Sequence, residues 1–309
     1  MEQIFFNPAG RLRSGWRVLL FVILLSLATA ISGTIVGAIM VAGDFRHLDG
    51  QSDFLLTSLI ALIPALLLSW LCGKWFEGLP FRSLGAAFTR SWAWHLMLGI
   101  LFGAGSLTLT VLIASVAGDL SFELNHEASL HDIAVALAAS FAIFAAGAAF
   151  EEVLFRGYIF QTLTRAGLAW LAILLTAVFF GAVHLGNPSS NWISTTDTIV
   201  AGVVFSAAYL KTRDLWFAFG IHLMWNWMQG SFFGIEVSGL TDLSSVSLFK
   251  EIDKGPVWLT GGIYGVEGGI ASTAALLVTL AAICFLPFAE PEPEILEMSS
   301  RENPKASVS

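Results

Sequence analysis

The sequence predicts an all-α protein that crosses a membrane about eight times. Hydrophobic residues make up 56% of its 309 residues and charged residues only 12%, whereas soluble domains have roughly 45–50% and about 25%. The apolar residues also form unbroken blocks, such as residues 18–42 and 54–71. Each block is long enough to span a bilayer, which takes about 20 helical residues. The lipid bilayer is therefore the expected surrounding.

Eight candidate spans can be placed along the chain. They cover residues 16–42, 54–71, 92–117, 133–161, 168–183, 198–210, 215–233 and 269–288. With the N-terminus in the cytoplasm, twelve of the fifteen Lys and Arg residues fall on the cytoplasmic side, where cytoplasmic loops concentrate them. This distribution predicts that both termini are cytoplasmic. The compact loops are typical of prokaryotic proteins, so a bacterial plasma membrane is the expected location.

The spans are predicted to form one transmembrane domain, residues 1–289. Residues 290–309 contain few apolar side chains, so we expect a disordered cytoplasmic tail. Cys72 and Cys284 lie in apolar blocks, which predicts neither a disulfide nor a cysteine-rich metal site. A net charge of -8 without a cluster of basic residues argues against nucleic acid as a partner.

The fourth span contains the residues Glu151-Glu152-Val153-Leu154-Phe155-Arg156. An ionisable side chain in a span costs about 2.5–3.5 kcal/mol and normally serves a function. On a helix Glu152 and Arg156 can pair, while Glu151 projects about 100 degrees away. A free carboxylate in such surroundings can take a proton from water, so Glu151 is the candidate general base. The alternative is a helix end with ordinary snorkelling charges.

Two further pairs have helical i, i+4 spacing on other spans: Phe180 with His184, and His222 with Asn226. A lone intramembrane histidine more often forms a hydrogen bond between helices than binds a ligand. Two of them together with a glutamate pair favour a functional site. The other histidines lie in loops or at span ends and are expected to be solvated: His47, His95, His126 and His131.

Together these side chains suit the hydrolysis of an amide. Glu151 with His184 would activate water, while His222 and Asn226 would stabilise the oxyanion. The same Glu151, His184 and His222 could instead hold Zn²⁺, with Glu152 as the base. Both alternatives stay open at this point.

The three motifs, Glu-Glu-x-x-x-Arg, Phe-x-x-x-His and His-x-x-x-Asn in this order on separate spans, resemble the CAAX protease and bacteriocin-processing family, often called the Abi family. The likeness covers residues 147–228. It implies an intramembrane endopeptidase, related to the CAAX prenyl endopeptidases of the Ras-converting type, whose substrate is a membrane-associated peptide, prenylated or bacteriocin-like. It leaves open whether the enzyme is a metalloprotease or a metal-independent glutamate protease. The resemblance implies catalytic roles for Glu151, Glu152, His184, His222 and Asn226, and supporting roles for Arg156 and Phe180.

Two other function classes are alternatives. A non-catalytic bacteriocin-immunity or scaffold protein would bind its partner through residues 234–268. A proton-coupled transporter would relay protons through Glu151, His184 and His222. The transporter is the less favoured, because such folds often contain inverted repeats and we find none in this sequence.

Depth in the membrane constrains the site. If the fourth span begins at residue 133, Glu151 lies about 27 Å along it, while His184 lies about 24 Å along a span of opposite direction. The two side chains would then lie near opposite faces of the bilayer. A bend near Gly147 or Gly157 is therefore expected to bring them together.

Overall fold

The computed structural model describes residues 2–7, 10–43, 48–243 and 246–300, and helices dominate them. Every predicted span contains a helix, so the all-α membrane fold is confirmed. The helices are α1 (Glu2–Phe5), α2 (Ser14–Ala42), α3 (Gly50–Glu77), α4 (Trp92–Gly118), α5 (Leu130–Arg156), α6 (Tyr158–Arg165), α7 (Ala169–Val183), α8 (Trp192–Thr212), α9 (Trp216–Trp227), α10 (Val257–Thr260), α11 (Ile270–Phe285) and α12 (Pro293–Ser299). The strands are β1 (Leu120–Leu124) and β2 (Phe249–Asp253).

Among the described residues, six helical segments are long and apolar enough to cross a membrane: α2, α3, α4, α5 with α6, α7 and α8. Helix α11 is apolar but shorter, and α9 continues into a π-helical turn, Met228–Phe232. Many large apolar side chains on these helices point outward, as in a protein surrounded by lipid. The chain is an integral membrane protein, while the count of eight spans and the cytoplasmic termini stay predictions.

Close contact between α4 and α9 fixes the position of α9. A Cβ atom on Gly99 would lie 2.4 Å from the carbonyl oxygen of Phe217, and one on Gly103 would lie 2.4 Å from that of Ile221. Small residues allow the backbones of membrane helices to approach in this way. The glycine face of α4 therefore holds the helix that carries His222.

The helix of the fourth span is broken at Gly157, between α5 and α6. Gly157 has φ -75 and ψ -127, and a Cβ atom there would lie 2.1 Å from the carbonyl oxygen of Val153. Only glycine fits such a close backbone approach. The predicted break at Gly157 is confirmed, whereas α5 is continuous through Gly147.

The sixth span is longer than predicted. Helix α8 begins at Trp192 rather than at residue 198, because Asn191 and Ser194 form a capping box that starts the helix earlier. Asp197 therefore lies inside the helix and not in the preceding loop.

Part of the predicted disordered tail is helical. Residues 293–299 form α12, and its Ile295 is buried. The Ser91 backbone N–H donates to Glu292 at 2.5 Å, and Arg82 pairs with Glu294 at 2.9 Å. These contacts order a segment that is too polar to fold alone, so the prediction of disorder is corrected for residues 293–299. Residues 301–309 lie outside the described residues.

His95 is buried, although the sequence predicts a solvated side chain. Its Nδ1 lies 2.5 Å from Oδ2 of Asp214, which is 119 residues away in the sequence. Burial of a histidine in this way requires such a partner. His126 and His131 are exposed as predicted, and His47 lies outside the described residues. Cys72 and Cys284 are free cysteines.

Candidate active site

A cavity of about 240 Å³ lies where α5, α7, α8 and α9 meet the segment between α9 and α11. Five of the seven residues singled out from the motifs line it, and the other two, Glu152 and Arg156, support them. Glu151, Phe180, His184, His222 and Asn226 line the cavity, and Glu152 contacts His222 from behind. The fold thus brings the three motifs to one place, although the roles of these residues stay predictions.

His222 connects the cavity to a buried ion pair. Its Nδ1–H donates to Oε1 of Glu152 at 2.9 Å, and its Nε2 lies 3.7 Å from Oε2 of Glu151. The ring stacks on Phe205 with centroids 4.7 Å apart and an interplanar angle of 13°. Its orientation is therefore set by a carboxylate on one edge and an aromatic face, which leaves Nε2 directed toward the cavity.

Arg156 holds Glu152 in place, as the helical spacing predicts. Its Nη1 lies 3.3 Å from Oε1 of Glu152, and both side chains are buried. Its Nη2 donates to the carbonyl oxygen of Gly202 at 2.8 Å. The guanidinium carbon lies 5.0 Å from the ring centre of Phe180 and 5.1 Å from that of Phe205, distances suited to cation–π attraction. The supporting role predicted for Arg156 and Phe180 is consistent with these contacts.

Glu151 differs from Glu152 in its surroundings. Its side chain is 23% exposed, against 1% for Glu152. Its Oε2 is buried and accepts no hydrogen bond from any residue in the described part of the chain. A carboxylate oxygen in a cavity with no protein donor is free to accept a proton from a small molecule beside it.

His184 occupies the first position of a 3₁₀ turn that follows α7 (His184–Gly186). Its Nδ1–H donates to the carbonyl oxygen of Phe180 at 2.7 Å. Since that bond fixes the proton on Nδ1 in the neutral ring, Nε2 is left as an acceptor. The i, i+4 spacing noted in the sequence is thus a hydrogen bond that orients the imidazole.

Asn226 lies one turn beyond His222 on α9 and lines the same cavity. Its amide offers two N–H donors. Together with Nε2 of His222, which lies 3.7 Å from Oε2 of Glu151, it forms a polar strip along one face of the helix.

Two acidic residues of the cavity were not identified from the sequence. Asp197 of α8 accepts from the Ser272 hydroxyl at 2.7 Å and from the Thr273 hydroxyl at 2.5 Å. Glu267 precedes α11 and accepts from the backbone N–H and the hydroxyl of Ser238. Burial raises the pKa of Glu267, and the hydrogen bonds from Ser238 and the charge of a nearby His184 offset this only in part. Asp197 could have been identified as an acid inside a span if the start of α8 had been known. No sequence pattern indicates that Glu267 lies in the cavity.

The predicted zinc ligands can be compared with the arrangement found. Zinc sites in enzymes use three protein ligands, each about 2 Å from the metal. Among the described residues, no group of three His, Cys, Asp or Glu side chains has an arrangement that could hold a metal ion. Glu151, His184 and His222 supply suitable donor atoms but not that geometry, so no step below uses a metal.

The region that contains the three motifs is similar to a known protein family. Residues 133–228 match the family model described as Type II CAAX prenyl endopeptidase Rce1-like. The matched range contains all three motifs and ends before Glu267 and the segment between α9 and α11. No curated protein is significantly similar to the chain.

Proposed function

We propose, from the match of residues 133–228 to the CAAX prenyl endopeptidase family model, that this chain is an intramembrane endopeptidase of that family in which Glu151 is the general base. The observation that carries the proposal is that Glu151 lines the same cavity as His184, His222 and Asn226, while its Oε2 accepts no hydrogen bond from the described residues. The four groups match the needs of amide hydrolysis: proton acceptors on one side and proton donors on the other.

In the proposed reaction, water binds between Glu151 and His184. The carboxylate and Nε2 of His184 both accept hydrogen bonds, so the two hydrogens of the water are held and its lone pair faces the substrate. The oxygen attacks the carbonyl carbon while its proton moves to Glu151. The same proton then passes to the amine nitrogen as the C–N bond breaks, which releases an amine and a carboxylic acid, and the remaining water proton leaves the acid through Nε2 of His184.

The oxyanion of the tetrahedral intermediate would meet His222 and Asn226. The Asn226 amide donates directly, and Nε2 of His222 donates when the ring carries both protons. Glu152 accepts the Nδ1–H and so keeps the ring in the orientation that this bond needs. Donors fixed before the reaction cost little reorganisation, which is how oxyanion sites lower a barrier.

The proposed substrate is a peptide attached to the membrane, such as the prenylated C-terminus of a CAAX protein. Aromatic and aliphatic side chains surround the polar groups of the cavity, among them Phe54, Phe144 and Ile221. The cavity is walled by membrane helices, so a substrate held at the bilayer by a lipid anchor would reach it with the reacting bond already near the correct depth. The family's description supports this class of substrate, and a bacteriocin-like peptide is the other candidate.

The direct test is the variant Glu151→Gln in the full chain, purified in detergent or reconstituted in vesicles. We expect hydrolysis of a labelled, farnesylated C-terminal peptide to fall by about 10²–10⁴-fold, the usual contribution of a general base. The matched control is Glu127→Gln, which removes a carboxylate of the same size from an exposed pair with Lys250. Undiminished cleavage by Glu151→Gln would refute the assignment.

Two added measurements separate the alternatives. Metal content of the active, purified protein and its activity in a chelator decide between a metal-dependent and a metal-independent mechanism. If the wild-type chain cleaves no prenylated or unprenylated peptide, and its biological effect survives Glu151→Gln but not changes in residues 234–268, the scaffold alternative is correct.

A further inference from the structure

Part of the cavity lining comes from a wall segment, residues 235–240, which lies outside the range matched by the family model. Val237, Ser238 and Leu240 of this segment face the cavity, as does Glu267. The proposed catalytic residues on the helices therefore line the same cavity as a loop that follows the matched range in the sequence. How that loop is held in place decides the shape of the space that a peptide can occupy.

The wall segment is held by hydrogen bonds to three other parts of the chain. Asn187, three residues after His184, donates from Nδ2 to the carbonyl oxygen of Ser238 at 3.0 Å. The Gly239 N–H donates to the carbonyl oxygen of Tyr264 at 2.9 Å. Gln229, in the turn that follows α9, donates from Nε2 to the carbonyl oxygen of Glu236 at 2.5 Å. The segment thus bridges the ends of the two helices that carry the histidines.

Ser238 is the central residue of this wall, and Glu267 binds it twice. A single oxygen, Oε1 of Glu267, accepts from the Ser238 backbone N–H and from its hydroxyl, the latter at 2.7 Å. Ser238 has φ 53, a left-handed conformation that non-glycine residues adopt at a cost unless their surroundings stabilise it. A carboxyl group that accepts both donors provides that stabilisation.

Glu267 also faces the catalytic histidines. It lines the same cavity as His184 and His222 and is near enough to both for electrostatic interaction. Asp197 of α8 and Glu151 of α5 are the other acids that line the cavity. Asp197 accepts from Ser272 and Thr273, and Glu151 lies beside His222, whereas Glu267 hydrogen-bonds to the wall segment.

We propose that Glu267 is a positioning residue that fixes the wall segment through Ser238, and that the fixed wall binds the peptide beside the catalytic groups. The proposal rests on the proposed function for its effect on catalysis. Loss of the clamp would let the wall segment depart from the cavity. Peptide binding would then weaken, while the chemical step on Glu151 would change little.

The test compares Glu267→Gln with Glu267→Ala in the full chain. Gln keeps an oxygen that can accept both Ser238 donors, whereas Ala removes the acceptor. We expect Glu267→Ala to raise KM by about tenfold, the scale of a lost hydrogen bond to a charged group, with kcat changed by less than about threefold. Glu267→Gln should restore KM to near the wild-type value. Glu251→Ala removes a second acid of the same loop, outside the cavity, and should leave KM unchanged.

A second readout does not depend on activity. Hydrogen exchange of residues 235–240 should accelerate in Glu267→Ala and stay slow in Glu267→Gln, even if no substrate is ever cleaved. Absence of cleavage by the wild-type chain would end the proposed function but leave this result standing. Unchanged exchange and KM in Glu267→Ala would overturn the clamp, as would a fall of kcat in Glu267→Gln as large as that of Glu151→Gln.

Discussion

Two buried clusters of carboxylates and arginines lie in different parts of this membrane protein, and only one of them borders the cavity. In the first, Glu152 pairs with Arg156 and His222, and Glu151 lies next to them. In the second, Glu77 of α3 pairs with Arg165 of α6. The composition of the two clusters is alike, yet the hydrogen bonding of their carboxylates differs.

Both oxygens of the Glu77 carboxylate accept hydrogen bonds. Arg165 donates from Nε to Oε2 at 2.7 Å and from Nη2 to Oε1 at 3.0 Å. The Thr162 hydroxyl donates to Oε1 at 2.9 Å, and Nη1 of Arg17 lies 3.5 Å from Oε2. A carboxylate with both oxygens bound by a bidentate arginine serves to join helices, here α2, α3 and α6.

The Glu151–Glu152 cluster leaves one oxygen of each carboxylate without a hydrogen bond from the described residues. Such atoms cost free energy when buried, and a protein retains them where they bind something else. Residue type alone therefore does not distinguish a structural ion pair from a candidate catalytic one. The two clusters differ in the number of carboxylate oxygens without a hydrogen bond and in the cavity beside them.

The largest expected effect is on the structural cluster. Glu77→Gln removes the charge that balances Arg165, and an uncompensated buried charge destabilises a protein by about 3–5 kcal/mol. We expect a marked fall in thermal stability and yield, measured by thermal unfolding in detergent, while the folded fraction keeps its kcat. The control Glu294→Gln breaks the exposed pair with Arg82 and should leave stability unchanged. Equal thermal stability of Glu77→Gln and the wild type would contradict the structural role of Glu77.

The next effect is on the Glu151–Glu152 cluster, the candidate catalytic site. Glu152→Gln keeps the shape of the side chain but weakens its bond to Nδ1 of His222. Partners that orient a functional histidine are typically worth about 10–100-fold, so we expect kcat to fall by that factor with KM little changed. Thermal stability should fall less than in Glu77→Gln. A variant with full kcat would show that Glu152 is only a partner for Arg156.

A smaller effect is expected from the aromatic ring that contacts His222 and Arg156. Phe205→Leu removes the ring that stacks on His222 and lies over Arg156, while it keeps an apolar side chain there. Cation–π contacts of this kind contribute about 0.5–2 kcal/mol. We expect a loss of activity of about tenfold or less, measured as kcat/KM. Phe179→Leu, on the exposed side of α7, is the matched control and should change neither activity nor stability.

The smallest effect concerns a third kind of acid, outside the membrane helices. Burial, with Glu236 and Asp253 nearby, raises the pKa of Glu251 on β2 from 4.5 to about 8. Between these values the unfolded chain loses the proton while the folded chain keeps it, so the free energy of unfolding falls as pH rises from 4.5 to about 8.

Glu251→Gln removes that titration. We expect the Tm of the wild type to fall by a few degrees more than that of the variant between pH 5 and pH 8, on the order of 2–4 °C for each kcal/mol. Parallel Tm curves for the two proteins would contradict the raised pKa.

Local features of the site follow from the sequence, because helical spacing determines them. The pairing of Glu152 with Arg156 and the bond between His184 and Phe180 both join residues four positions apart. The break at Gly157 is also predictable, since the site needs a bend and only glycine tolerates one so tight. The family resemblance rests on the same local spacings.

Contacts between distant parts of the chain could not be predicted in this way. Glu152 meets His222 across 70 residues, and His95 meets Asp214 across 119. Glu267 lies in a glycine-rich segment without helical or strand periodicity, so nothing in its neighbourhood indicated that it enters the cavity. Helix α12 is likewise ordered by its contacts with Arg82 and Ser91 rather than by its own composition.

Strands β1 and β2 pair with each other and so join the loop between α4 and α5 to the loop between α9 and α11. Leu120 pairs with Asp253 and Leu124 with Phe249, so the connection between α4 and α5 is tied to the segment that contains the cavity wall. The Asn125 amide extends this link to the carbonyl oxygen of Ser247 at 3.0 Å. A ligand or antibody that binds residues 119–129 would therefore act from a distance on the proposed peptide cleavage, without entering the cavity or touching a membrane helix.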